Sequence, residues 1–196
     1  MYRLIYRLFT LAVVITYVSS CRPDTPNTAT EMAFYISNPK YGIVSTREQG
    51  PFHFQMGLLP EQYLQTVHQT KLSGAAAQTV TFRLQLKTIK STVDLSEALL
   101  AAAPPDWSTE QVQTALLYHM DSAATLVIGK KAIKSVVAVA EAGPNTGQII
   151  QIAFTFPVAE KELLNESEVQ VILANTFFLT TPVTFTFKSA DLQKVI

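Results

Sequence analysis

A single cysteine, three histidines and seven glycines in 196 residues leave little of the side-chain chemistry that marks most enzymes. One cysteine closes no internal disulfide and supplies neither a redox pair nor a cysteine-rich zinc site. His53, His68 and His119 are widely separated, and no His-x-His or His-x-x-x-His spacing brings two imidazoles to one metal. The few glycines form no phosphate loop and no dinucleotide fingerprint, both of which need glycine where the backbone closes on a phosphate. No serine stands in a Gly-x-Ser-x-Gly elbow. Charge is sparse as well, with 15 basic and 15 acidic residues balancing to zero, so no basic surface is on offer to nucleic acid. The expectation is a protein with no cofactor and no metal.

What the chain has instead is a distinctive beginning. Arg3 and Arg7 precede an apolar run from Leu8 to Val18, and the sole cysteine, Cys21, follows after two serines. A cationic start, a short hydrophobic core and small residues before a cut site form a secretory signal. As a helix the run from Leu8 to Val18 would span only about 16 Å, against roughly 30 Å of bilayer hydrocarbon, so a cleaved leader fits better than a permanent span.

Val18-Ser19-Ser20-Cys21 resembles the lipobox of bacterial lipoproteins: an aliphatic residue, two small ones, then the cysteine that receives lipid. The resemblance implies that Cys21 Sγ takes a diacylglyceryl group, that cleavage follows Ser20, and that the new amino terminus is acylated, palmitate being the usual chain. A thiol suits this chemistry because its thiolate is the strong nucleophile among ordinary side chains. Several acyl chains on one residue hold a membrane stably where a single chain does so marginally. The implied location is the cell envelope, lipid-anchored at the outer membrane, with the inner membrane as the alternative. The resemblance covers about the first tenth of the chain and implies nothing about the rest.

Without residues 1–20, 176 residues remain, and the loss of Arg3 and Arg7 lowers the basic count from 15 to 13, a formal charge of −2. That length supports one domain with a substantial core. Residues 21–31 read as a lipidated flexible tether, polar and with two prolines, reaching roughly 33 Å when extended. Residues 32–196 read as a single globular domain. The 48% hydrophobic content of the whole sequence supplies a core, and the many threonines, valines and phenylalanines point to β structure.

The pattern predicts short strands over Met32–Ser37 and Tyr41–Thr46 around the Asn38-Pro39 turn, and a third through Phe52, Phe54 and Met56. Pro60 opens a helix to about Lys71, with Gly74 past its end. Thr79–Lys90 alternates apolar Val80, Phe82, Leu84 and Leu86 with Thr81, Arg83, Gln85 and Lys87, a strand with one wet face. A pair of helices then interrupts at about 94–120. Asp94 and Glu97 open the first, and Pro104-Pro105 ends it. Ser108 and Gln111 open the second, Trp107 is placed to staple onto Val112, and Val112, Ala115, Leu116 and Met120 form its apolar face, which His119 borders.

Strands resume at Ala123–Ile128, turn at Gly129-Lys130, and return over Ala132–Ala140. The unbroken apolar run Val136–Ala140 predicts a strand covered on both faces, with the inserted helices lying over its sheet. A turn at Gly143–Gly147 leads to a strand at Ile149–Phe156. A short helical turn at Glu160–Asn165 precedes strands through Val169, Val171 and Leu173 and through Val183, Phe185 and Phe187, with Pro182 favouring an edge. The fold class is therefore mainly β: a β-sandwich-like antiparallel domain with an inserted pair of helices. An α+β arrangement, helices packed on one antiparallel sheet, is the alternative.

Two groups invite a functional reading. Phe34, Tyr35, Tyr41, Phe52 and Phe54 are read first as core and cross-strand packing, with a ligand- or sugar-stacking platform at Tyr35 and Tyr41 as the alternative. Glu160, Glu162, Glu166 and Glu168 are the one place to look for paired carboxylates, against the ordinary reading of a solvated turn. Together these observations point to a membrane-anchored, non-enzymatic binding or assembly module with an envelope protein as partner. Second comes a carrier of a hydrophobic ligand or lipid, motivated by the apolar residues at 136–140 and 149–153. A glycan-binding or glycan-processing protein is the weakest of the three.

Overall fold

The computed structural model describes residues 25–26, 28–68, 78–141 and 148–196. The leader with Ser20 and Cys21, the helix end towards Lys71 and Gly74, and the Gly143–Gly147 turn lie outside the described residues. In chain order, α1 (Ala29–Ser37) and a 3-10 turn (Pro39–Tyr41) precede the hairpin β1 (Val44–Gln49) and β2 (Phe52–Leu59). Then come α2 (Glu61–His68), β3 (Val80–Thr88), and the helices α3 (Leu95–Ala102) and α4 (Thr109–Tyr118). The chain continues through β4 (Ala124–Ile128), β5 (Lys131–Lys134), β6 (Val137–Glu141) and β7 (Ile149–Phe156). A 3-10 turn (Glu160–Leu164), β8 (Glu168–Leu173), β9 (Val183–Lys188) and α5 (Ser189–Leu192) complete it.

Two antiparallel sheets result, one ordered β1-β2-β3-β7-β6 and the other β5-β4-β8-β9. The protein is a β-sandwich with a few helices. The register lines up the apolar face of β3 with its neighbours: Phe82 opposes Phe154, Leu84 opposes Ile152, and Leu86 opposes Ile150. Alternation with period 2 puts all of these on one face, and they are fully or largely buried. The second sheet presents Leu126, Val171 and Phe185 in the same way. The two faces meet through Phe82 of β3 and Phe187 of β9 at 5.2 Å, and Phe178, from the β8–β9 connection, packs on Phe54 of β2 at 6.3 Å. Burial of each phenylalanine is worth about 1.5–3 kcal/mol, so this inter-sheet layer is the main source of stability.

Both seams of the sandwich are closed. On one side β5 and β6 follow one another directly, and the chain crosses between sheets at Ser135-Val136. Ser135 is buried there; its N–H donates to the Ala124 carbonyl at 3.1 Å and its hydroxyl to the Asp121 carbonyl. On the other side β1 and β9 run alongside each other, and Gln49 Nε2 donates to the Thr181 carbonyl and hydroxyl at 3.2 and 2.6 Å. Two-residue turns set two of the hairpins. Gly50 (φ 57°) before Pro51 and Gly129 (φ 56°) before Lys130 each take the positive φ that the first central position of a type II′ turn requires.

Three expectations are corrected. Met32–Ser37 is helix, not strand: Thr28 and Glu31 form a reciprocal capping box, and Met32, Tyr35 and Ile36, at helical spacing, are the buried side. The helix thus starts at Ala29, inside the segment read as tether. Tyr41 belongs to the 3-10 turn, where Asn38 Oδ1 accepts from the Lys40 N–H, and the strand begins only at Val44. Finally, the run Ala132–Ala140 is two strands in two sheets, and β6 is an edge strand. Ala138 and Ala140 pack on the core, whereas Val137 and Val139 are about half exposed, at 46% and 52%. Consecutive apolar residues cannot distinguish two covered faces from one covered face and one bare one.

Candidate functional site

The inserted helices border an apolar concavity. Ser108 accepts from the Gln111 N–H while Gln111 reaches back to the Ser108 N–H, so the capping box starts α4 as its spacing implies. Asp94 Oδ1 accepts from the N–H groups of Ser96 and Glu97 and starts α3. Trp107, in the link between them, packs its ring on Phe177 at 5.3 Å. The helices pack against β3 and β6. The expectation that they lie on that sheet holds, although the outer side of β6 stays uncovered.

Each helix has an apolar arc wider than the core can cover. On α4 the buried residues are Val112, Ala115 and Leu116, and on α3 they are Leu95, Ala98 and Leu99. Next to each arc stands a second leucine, Leu100 at 39% and Leu117 at 49% exposure. Between these leucines and the start of β7 lies a groove of about 320 Å³. Ala140, Ile149 and Ile150 form its sheet side. Leu99, Leu100, Val112, Leu116 and Leu117 form its helical side, with Leu99, Val112 and Leu116 buried at the base. Ser96, Thr109 and Gln113 are exposed at the mouth, and their side chains make no hydrogen bond among the described residues. Thr109, Val112, Gln113, Leu116 and Leu117 follow one stripe of α4 at spacings of three and four, so the groove runs along that helix for roughly 12 Å.

The acidic run does not stay together. Glu162 faces Lys131 at 3.7 Å, the Glu166 side chain lies against Gly129, and Glu168 stands opposite Lys188 in the β8–β9 register. Glu160 alone turns inward. Its Oε1 accepts from the Glu61 N–H at the start of α2 at 2.6 Å, and the Glu61 carboxylate accepts from Gln65 Nε2 at 2.8 Å. Burial pushes the Glu160 carboxyl up to about 7; the Glu61 N–H opposes the shift and the negative charge of Glu61 adds to it. The adjoining cleft of about 540 Å³ is lined by residues 157–162 of a single segment together with Glu61 and Gln78. Among the described residues its lining holds no serine, threonine, cysteine or histidine. Among the described residues no three or more of His, Cys, Asp and Glu gather as a metal site.

The other candidates scatter. Tyr35 is buried at 8% and stacks on Tyr41 with ring centres 3.9 Å apart, so each ring already gives one face to the other. Phe52 and Phe54 are core residues, and Phe34 is exposed. His53 Nδ1 lies 3.1 Å from Glu48 Oε1 on the first hairpin, and His119 is the C-terminal cap of α4, far along the chain from it. The groove is only half legible in the sequence: the apolar residues near 149–150 mark its sheet side, whereas the helical pattern does not single out Leu117. The signal available was the pair of doublets Leu99-Leu100 and Leu116-Leu117, each splitting into one core and one rim residue.

Among the described residues no helix is long and apolar enough to cross a membrane. No protein-family model matches the chain, and comparison with curated proteins finds no match.

Proposed function

We propose that the chain is a lipid-anchored, non-enzymatic binding module of the bacterial cell envelope, tethered through Cys21 and using the groove beside α4 to hold an apolar ligand. The observation that carries the reading is the groove itself. Leu100 and Leu117 remain exposed beside a buried leucine base, in a concavity of about 320 Å³, within the range of small-molecule sites. The leader supports the anchor, since Val18-Ser19-Ser20-Cys21 supplies small residues for cleavage and a thiol for lipid at the one position where both are needed. The partner is then met at or near a membrane surface.

Fractionation with intact mass measurement tests the anchor. The mature chain is expected in the membrane fraction, beginning at Cys21 and heavier by a diacylglyceryl group and an acyl chain, while Cys21→Ser abolishes processing. An unmodified Cys21 in the mature chain would overturn the anchor.

A further inference from the structure

We propose that the groove takes a single unbranched acyl chain borne on an uncharged polar head, an amphiphile of the monoacylglycerol type drawn from the bilayer. This rests on the binding-module reading and adds the class of ligand. Of the eleven described side chains lining the groove, eight are aliphatic and three are neutral and polar. Among the described residues no aromatic ring lines it, so the lining offers no flat π face for a sugar or a planar ring system. Among the described residues no ionisable group lines it either, so the lining offers a carboxylate or phosphate no cation.

The polar groups stand where a head would be. The Ser96 and Thr109 hydroxyls and the Gln113 amide are exposed at the mouth, make no hydrogen bond among the described residues, and can both donate and accept. That is the complement of glycerol hydroxyls and an ester carbonyl. The groove, about 320 Å³, follows α4 lengthwise, which suits an extended chain.

The test is photolabelling of the full chain in membranes with two diazirine probes of equal chain length, a monoacylglycerol and a fatty acid, with adducts mapped by mass spectrometry. The monoacylglycerol probe is expected to label Leu99–Leu117 and Ile149–Ile150 at least tenfold more than the fatty acid at pH 8. An excess of unlabelled monolaurin should compete. Leu117→Glu and Leu100→Glu, both at the exposed rim, should each cut the labelling about tenfold. Equal labelling by the two probes, or groove labelling by the fatty acid alone, would overturn the ligand class while leaving the groove as a binding site. Labelling by neither probe, or labelling that both rim variants leave unchanged, would overturn the ligand class and the groove together.

Discussion

Leu116 and Leu117 are chain neighbours on α4 that line the same groove, yet Leu116 is 6% exposed and Leu117 is 49% exposed. The first belongs to the core and the second to the opening, and the two positions separate stability from binding.

Leu116→Ala is expected to cost about 2–4 kcal/mol in urea denaturation, the ordinary range for emptying a buried leucine site. Leu117→Glu should stay within about 0.5 kcal/mol of the parent, as exposed substitutions do. A loss above about 2 kcal/mol for Leu117→Glu would mean that the rim leucine is part of the core.

Glu160 makes stability depend on pH in an unusual direction. Its carboxyl titrates at about 7 in the fold, against an ordinary value of 4.5. The native state therefore holds a proton that the unfolded chain releases between these values. Stability is highest below pH 4.5, as far as this group is concerned, and falls as pH rises to 7. Glu160→Gln should match the parent near pH 4.5 and exceed it by about 1–2 kcal/mol at pH 8, a figure discounted for partial exposure. Parallel pH profiles for the two proteins would contradict this.

Ser135 holds the corner at which the chain changes sheets. Ser135→Ala removes the hydroxyl that donates to the Asp121 carbonyl and leaves that acceptor short of a partner. A cost of about 1–3 kcal/mol is expected, with faster hydrogen exchange in β5 and β6 than in β8. Unchanged exchange at residues 131–139 would show that the corner is held by other contacts.

Thr28 tests the helix that sequence reasoning missed. Thr28 Oγ1 accepts from the Glu31 N–H at 3.2 Å, and Glu31 returns a bond to the Thr28 N–H at 3.1 Å. Thr28→Ala should cost about 1 kcal/mol, and Thr28→Asp should restore most of it. Equal stability of all three would remove the cap from the account.

These positions also show which features the sequence carried. The alternation of Val80, Phe82, Leu84 and Leu86 marked β3 because a half-buried strand writes its period directly into the chain, and Ser108 with Gln111 marked α4 because a cap is local. Met32–Ser37 misled because its aromatic and β-branched residues suit strands, while the Thr28–Glu31 box just upstream is the stronger local signal. The division of Ala132–Ala140 between two sheets was not legible, since it depends on β4 and β7, which lie on either side in the chain. The Glu160–Glu61 approach likewise joins residues 99 positions apart. The groove depended on how much of each helical arc the core would cover, which no helix determines alone.

Native mass spectrometry of the chain extracted from membranes, parent beside Leu117→Glu, tests the binding claim most directly. The parent is expected to carry a noncovalent apolar ligand at a defined added mass, and the variant to be largely free of it. A ligand-free parent across repeated preparations, or the same ligand load on both proteins, would contradict the groove as the binding site.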